Sequence, residues 1–220
     1  MASLTREGDV FVLDLGDGEN RFNADYLDSL EKCLGEVEAA APCALVTTAR
    51  GKIWSNGLDL EWMGEQGEGA VPFVGRVHEL LARVLEIGVP TTAALQGHVF
   101  AAGAMLALAH DQRVMRADRG FFCLPEVDIG IPFTPGMSAL IAARLPVRTA
   151  IESMTTGRRY GGEEAAAAGI VDEAVGEGDV LARSLARAAA LAGKDPATLR
   201  TIKQRLHETA LAALRGPQGF

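Results

Sequence analysis

Cysteine is scarce in this chain: there are 3 in 220 residues, Cys33, Cys43 and Cys123, with no Cys-x-x-Cys spacing. An odd, scattered set excludes a disulfide framework and a cysteine zinc site, and a reducing compartment, the cytoplasm, is the simplest expectation. Positive charge is also short, since 21 Lys and Arg stand against 29 Asp and Glu and leave a net charge of -8. Such a balance argues against nucleic acid or an anionic membrane surface as the main partner, so an anionic ligand must be held by local groups. Long hydrophobic runs are missing: residues 89–109 are apolar, but Pro90, Gln96, Gly97 and His98 divide them into a strand, a turn and a helix. No membrane span is expected. A Gly-x-Gly-x-x-Gly turn after a strand and any metal-ligand spacing are absent too, so neither a dinucleotide nor a metal ion is expected. The first nine residues include acidic groups and no apolar segment, and the C-terminal Gln-Gly-Phe is not of the Ser-Lys-Leu type. Neither a secretory signal nor a peroxisomal address is therefore expected.

What is present is an ordinary globular balance, 48% hydrophobic and 23% charged, arranged as an alternation of short elements. Residues 9–15 alternate apolar and polar with the period of a half-buried strand. From Asn23 to about Val37 the positions Leu27, Leu30 and Leu34 recur at helical spacing, with Asn23 as N-cap. Residues 43–48 predict a buried strand, 64–70 a mobile Gly- and Glu-rich loop, 73–87 a helix and 91–95 another strand. Strands alternating with helices imply right-handed crossover units. After Asp179 the pattern is helical to Ala192, breaks at Gly193 to Pro196, and resumes from about Thr198 to Leu214. An α/β core over residues 1–178 with a helical region over 179–220 is the predicted organisation.

Two glycine-marked strand-to-helix junctions carry the chemistry, Ile53-Trp54-Ser55-Asn56-Gly57-Leu58-Asp59-Leu60 and Gly97-His98-Val99-Phe100-Ala101-Ala102-Gly103-Ala104-Met105-Leu106. One carboxylate follows in Leu124-Pro125-Glu126. The first N–H groups of a helix have no partner inside it and carry its positive dipole end. Two such turns can aim two N–H groups at one carbonyl oxygen, which is how an oxyanion hole is built. Taken singly, Gly57 and Gly103 serve equally well as strand ends that allow close packing, and Glu126 as a capping or ion-paired residue. Their combination points to a site.

The two junctions, the later Pro125-Glu126 and the run Ala165-Ala-Ala-Ala-Gly-Ile-Val-Asp172 together resemble the enoyl-CoA hydratase/isomerase (crotonase) superfamily along nearly the whole chain. The resemblance implies a crotonase-like spiral of ββα units with a helical C-terminal extension, a homotrimer or dimer of trimers, and acyl-CoA thioester substrates. Coenzyme A is then part of the substrate and no separate cofactor is implied. It also implies that the N–H groups of Leu58 and Ala102 form the oxyanion hole. Backbone carbonyls at Ser55 and Gly57 are implied to receive the adenine, Gly103 and Met105 to line the substrate site, and Lys52 to meet the phosphates, with Arg50 and Lys203 as weaker candidates. Family members often carry Gly where this chain has Ala101 and Ala102, a departure that keeps both residues small.

Subtype turns on carboxylates. Hydratases of this superfamily use two glutamates, and the first of those positions is Met105 here, while the second is kept as Glu126. One base suffices to move a double bond, because it can take a proton from C2 of a 3-enoyl thioester and return it at C4. The pattern thus resembles the monofunctional Δ3,Δ2-enoyl-CoA isomerases. A hydratase of altered mechanism, a CoA thioesterase and a non-catalytic acyl-CoA-binding paralogue are the alternatives. Phe121, Phe122, Leu124, Ile129, Ile131 and Phe133 are expected to surround Glu126 and raise its pKa. Asp128 is expected to face away on an extended segment, His98 to pack or hydrogen-bond, and His110-Asp111 to form a cap and core polar pair.

Overall fold

Short parallel strands buried on both faces read as continuous apolar runs, and all five residues of β4 (Ala44–Thr48) and of β7 (Thr91–Leu95) are buried. The computed structural model describes residues 1–217, and the C-terminal Gln-Gly-Phe lies outside the described residues. The chain winds as four successive turns of a spiral. After β1 (Ser3–Glu7), the first turn is β2 (Val10–Asp14), β3 (Arg21–Phe22) and α1 (Ala24–Ala39). The second is β4, β5 (Ile53–Ser55), β6 (Gly57–Leu58), α2 (Leu60–Glu65) and α3 (Ala70–Glu86). The third is β7, β8 (His98–Phe100) and α4 (Ala102–Ala109). The fourth is β9 (Gln112–Arg116), β10 (Phe122–Cys123), α5 (Glu126–Ile129) and α6 (Pro135–Arg144), followed by α7 (Val147–Thr156) and α8 (Gly162–Ala167). Strand β11 (Glu173–Val175) closes the large sheet before α9 (Val180–Ala189), α10 (Pro196–Leu206) and α11 (Glu208–Leu214).

One strand of each turn joins a large sheet in the order β1-β2-β4-β7-β9-β11, parallel except for β1; a second strand of the second, third and fourth turns joins a small parallel sheet β10-β8-β5, and β3 of the first turn pairs with β6. This is the α/β spiral of ββα units that the resemblance implies. Helix α1 starts where expected: Asn23 Oδ1 accepts from Tyr26 N at 3.1 Å, and Leu27, Leu30 and Leu34 are buried.

Two expectations change. Residues 64–70 do not form a loop, because α2, a 3-10 turn at Gly67–Gly69 and the start of α3 run through them. Asp59 caps α2 by accepting from Trp62 N at 3.3 Å, and Trp62 meets Phe73 of α3 edge to face with ring centroids 4.7 Å apart, contacts that Gly and Glu content does not reveal. The last helix is two, α10 and α11, divided at His207. Strand β1 carries no apolar alternation and exists by pairing with β2.

The C-terminal helices pack on the chain's own core. Helix α9 lies on β4 and β7, where Val180, Ala188 and Ala192 meet Val46 and Ala94. Helix α10 is tied down by Lys203, which is buried and donates to Asp111 Oδ2 at 2.6 Å and to the Val89 carbonyl at 2.9 Å. His110 caps α4 and bonds Thr47 Oγ1 at 2.7 Å, which fits the core polar pair expected of His110-Asp111.

Candidate active site

The site forms where consecutive turns of the spiral touch. Gly57 has φ +77, and a Cβ there would lie 2.6 Å from Ala102 N, so only glycine lets the first junction sit against the second. Gly103 answers from the other side, where a Cβ would lie 2.6 Å from Ser55 Oγ. Ser55 fixes the first junction: fully buried, its hydroxyl donates to Asn20 O at 2.8 Å and accepts from Gly57 N at 3.1 Å. Ser55, Gly57 and Gly103 therefore stand behind the wall of the cavity and do not line it.

Two backbone N–H groups reach the front of that wall. Ala102 is the first residue of α4 and has no acceptor within the helix. Asp59 N–H bonds Phe22 O at 3.0 Å, so the alternation of strand N–H groups turns that of Leu58 away from β3 and toward the cavity it lines. The turn before Ala102 is strained, because Ala101 has φ 51 and ψ -127, a region that favours glycine. It is held at both ends, with its N–H on Cys123 O and its carbonyl on Met105 N, each at 3.1 Å. Such strain costs about 1–3 kcal/mol. Ala101→Gly is therefore expected to raise stability by about 1 kcal/mol after the entropy of the extra glycine is deducted, a rise of about 2–4 °C in Tm. A lowered Tm would show that Ala101 is not strained.

A cavity of about 470 Å³ runs from the start of β8 past Ala102 and Met105 toward α6, which packs on α4. Lys52, His98 and Arg159 line its polar end, and Leu60, Ile129, Ile131, Pro132 and Met137 its apolar part. Glu126 lines the same cavity. It opens α5, is 6% exposed, and its Oε2 has no partner among the described residues. Burial pushes its pKa up from 4.5 to about 7.

The expected surroundings of Glu126 need correction. Of the six apolar residues proposed around it, only Ile129 and Ile131 line the cavity. Phe122 and Leu124 are fully buried in the core, Phe133 packs against that core, and Phe121 is 38% exposed. The segment is not extended, since Asp128 N bonds Pro125 O at 2.9 Å in a helical turn. That turn, and not strand alternation, carries the Asp128 carboxylate away from the cavity and against Gly157.

The cations also separate. Lys52 lines the cavity, whereas Arg50 pairs with Asp14 at 2.7 Å and Lys203 is the buried tie of α10. Arg159, which no sequence signal marked, lines the cavity with its guanidinium 5.7 Å from the Phe100 ring centroid. The ring of His98 packs between Phe100 and Phe121, at 5.2 and 5.6 Å, and its Nδ1 has no partner among the described residues. Burial first, then Lys52 and Arg159, lower its pKa. Among the described residues, no group of three or more His, Cys, Asp or Glu is placed to hold a metal ion.

A buried carboxyl whose pKa burial raises to about 7, lining one cavity with Leu58 and Ala102 in a ββα spiral, defines a class of α/β protein suited to proton transfer beside a carbonyl group. The chain belongs to the enoyl-CoA hydratase/isomerase family, whose model matches residues 6–217. It is 40% identical over 185 residues to enoyl-CoA delta isomerase 3 of Arabidopsis thaliana, covering 79% of this chain and 76% of that protein. It is likewise 40% identical over 187 residues to the peroxisomal enoyl-CoA delta isomerase 2 of the same plant, covering 79% and 77%. Among solved structures, a Mycobacterium tuberculosis protein described in one structure as an enoyl-CoA isomerase and in another as a probable enoyl-CoA hydratase superposes with a TM-score of 0.90 at 27% identity, over 97% of this chain and 94% and 91% of those chains.

Proposed function

We propose that the protein is an enoyl-CoA isomerase that shifts the double bond of a 3-enoyl-CoA to the trans-2 position, in fatty-acid degradation. The observation that carries this reading is the buried Glu126 carboxyl, whose Oε2 has no partner among the described residues and whose pKa burial raises to about 7, in one cavity with Leu58, Ala102 and the apolar Met105. Glu126 takes the C2 proton, and the electron pair of that bond moves into a dienolate whose charge rests on the thioester oxygen. The N–H groups of Leu58 and Ala102 receive that oxygen, each contributing roughly 2.7–4 kcal/mol to the barrier reduction. The same carboxylic acid then returns the proton to C4, leaving Glu126 ionised and the double bond between C2 and C3. Met105 cannot activate water, which sets the chemistry against hydration. Lys52 and Arg159 at the polar end are suited to the phosphates of coenzyme A. The names of the Arabidopsis relatives, two of them peroxisomal, support the isomerase reading and leave the cytoplasm as one of two compartments to test. A homotrimer or dimer of trimers is the assembly we propose with it.

The test is to incubate the protein with cis-3-hexenoyl-CoA and with crotonyl-CoA and follow the products separately. Isomerisation is expected to exceed hydration by at least about 10²-fold, the scale of one missing acid–base group. Hydration of crotonyl-CoA at a rate matching isomerisation would overturn the reading.

A further inference from the structure

We propose that Met137 is the stop that sets the length of acyl chain the cavity accepts, an inference that rests on the acyl-CoA reading above. The cavity has a direction. Lys52 and His98 stand together at its polar end, because Ile53 pairs with His98 in the small sheet. Beyond Ala102 it follows α4 to Met105 and reaches the first turn of α6. The apolar lining grades with depth: Leu60 and Ile129 are 45% and 49% exposed, whereas Met105 and Met137 are 1% and 4% exposed. The two methionines are thus the apolar floor. Met105 shares its helix with Ala102, three residues on, while Met137 enters the cavity from a different element, α6.

Met137 is held from behind. Its N–H donates to Thr134 Oγ1 at 3.2 Å, and Thr134 Oγ1 lies 2.9 Å from His78 Nε2. His78 Nδ1 lies 3.3 Å from the Leu214 carbonyl, which only accepts, so Nδ1 carries the proton, Nε2 is the acceptor and the threonine hydroxyl donates to it. The adjacent Gly136 is pressed on α11, where a Cβ would lie 2.8 Å from Leu214 Cα. With α11 behind it the turn has no room to retreat. A chain one or two methylenes too long must therefore displace the Met137 side chain itself, and a single methylene in an apolar pocket changes selectivity by about 10–200-fold.

The experiment compares Met137→Ala and Met137→Phe with the unmodified protein on cis-3-hexenoyl-CoA and cis-3-dodecenoyl-CoA, reading the ratio of kcat/KM for the long over the short substrate. Calorimetric binding of the saturated hexanoyl-CoA and dodecanoyl-CoA gives the same ratio without chemistry. Met137→Ala is expected to raise both ratios at least about tenfold and Met137→Phe to lower them at least about tenfold. If one variant fails to fold, as its circular dichroism will show, the other decides. Ratios unchanged within about threefold, or failure of both saturated esters to bind the unmodified protein, would overturn the assignment. Shifted binding ratios in a protein that isomerises neither substrate would keep the stop and remove the isomerase.

Discussion

Glu126→Gln is expected to lower isomerase turnover by at least about 10²-fold while leaving the affinity for a saturated acyl-CoA within a few-fold. Glutamine keeps the size of the side chain and loses the proton site, and among the described residues no other carboxylate lines the cavity. The pH dependence follows from the same group. Burial holds its pKa at about 7, so the ionised form that takes the C2 proton is present above that pH, and kcat/KM is expected to rise through about 7 to a plateau. Stability runs the other way. The folded-state pKa is raised above the unfolded value of 4.5, so the native state binds the proton more tightly and this residue's contribution falls as pH rises from 4.5 to about 7. Glutamine has no charge to bury, and the variant is expected to be more stable than the unmodified protein at pH 8 by an amount of order 3 kcal/mol. A variant that retains more than about a tenth of turnover would assign the proton to another group, with His98 the next to test.

Gly57→Ala is the second large effect. The added methyl would stand 2.6 Å from Ala102 N and 3.1 Å from Phe100 O, on a residue whose φ of +77 already disfavours a side chain. Neither neighbour is the end of a flexible side chain, so the junctions must part and the Leu58 and Ala102 donors lose their common target. Removal of one such donor costs about 10²–10³ in kcat. We expect a loss of that size, with circular dichroism showing a retained fold. A folded Gly57→Ala protein with normal kcat would separate the close contact of the junctions from catalysis.

Much of this was legible in the chain itself, for identifiable reasons. Backbone turns announce themselves through glycine, and the strand and cap signals from Val10 to Leu95 are local, so β2, α1, β4 and β7 fall where periodicity puts them. Glu126, Leu58, Ala102, Met105 and Lys52 lie in one cavity, as a reading of the two junctions anticipates. What stayed hidden depends on contacts that composition and periodicity do not mark. The helical turn at Glu126 depends on Pro125 O accepting two N–H groups, and the Gly64–Ala70 helices on an aromatic contact between Trp62 and Phe73. Arg159 and Met137 come to the cavity through α6 and the chain that follows α7, elements whose patterns carry no marker of a ligand. Lys203 shows the converse, a lysine whose burial under α10 no composition could signal.

The order β2-β4-β7-β9 in the large sheet repeats the order of the chain, so each coil of the spiral touches chiefly its predecessor and successor. Leu58 belongs to the second coil, Ala102 to the third and Glu126 to the fourth. In the proposed mechanism the groups that receive negative charge are peptide units of two neighbouring coils, and the group that moves the proton is a side chain on the next. Inheritance can treat these separately. A lineage can trade the acid–base residue on α5, or the residue at position 105 on α4, one codon at a time while the anion receptor, written in main chain, passes unchanged to its descendants.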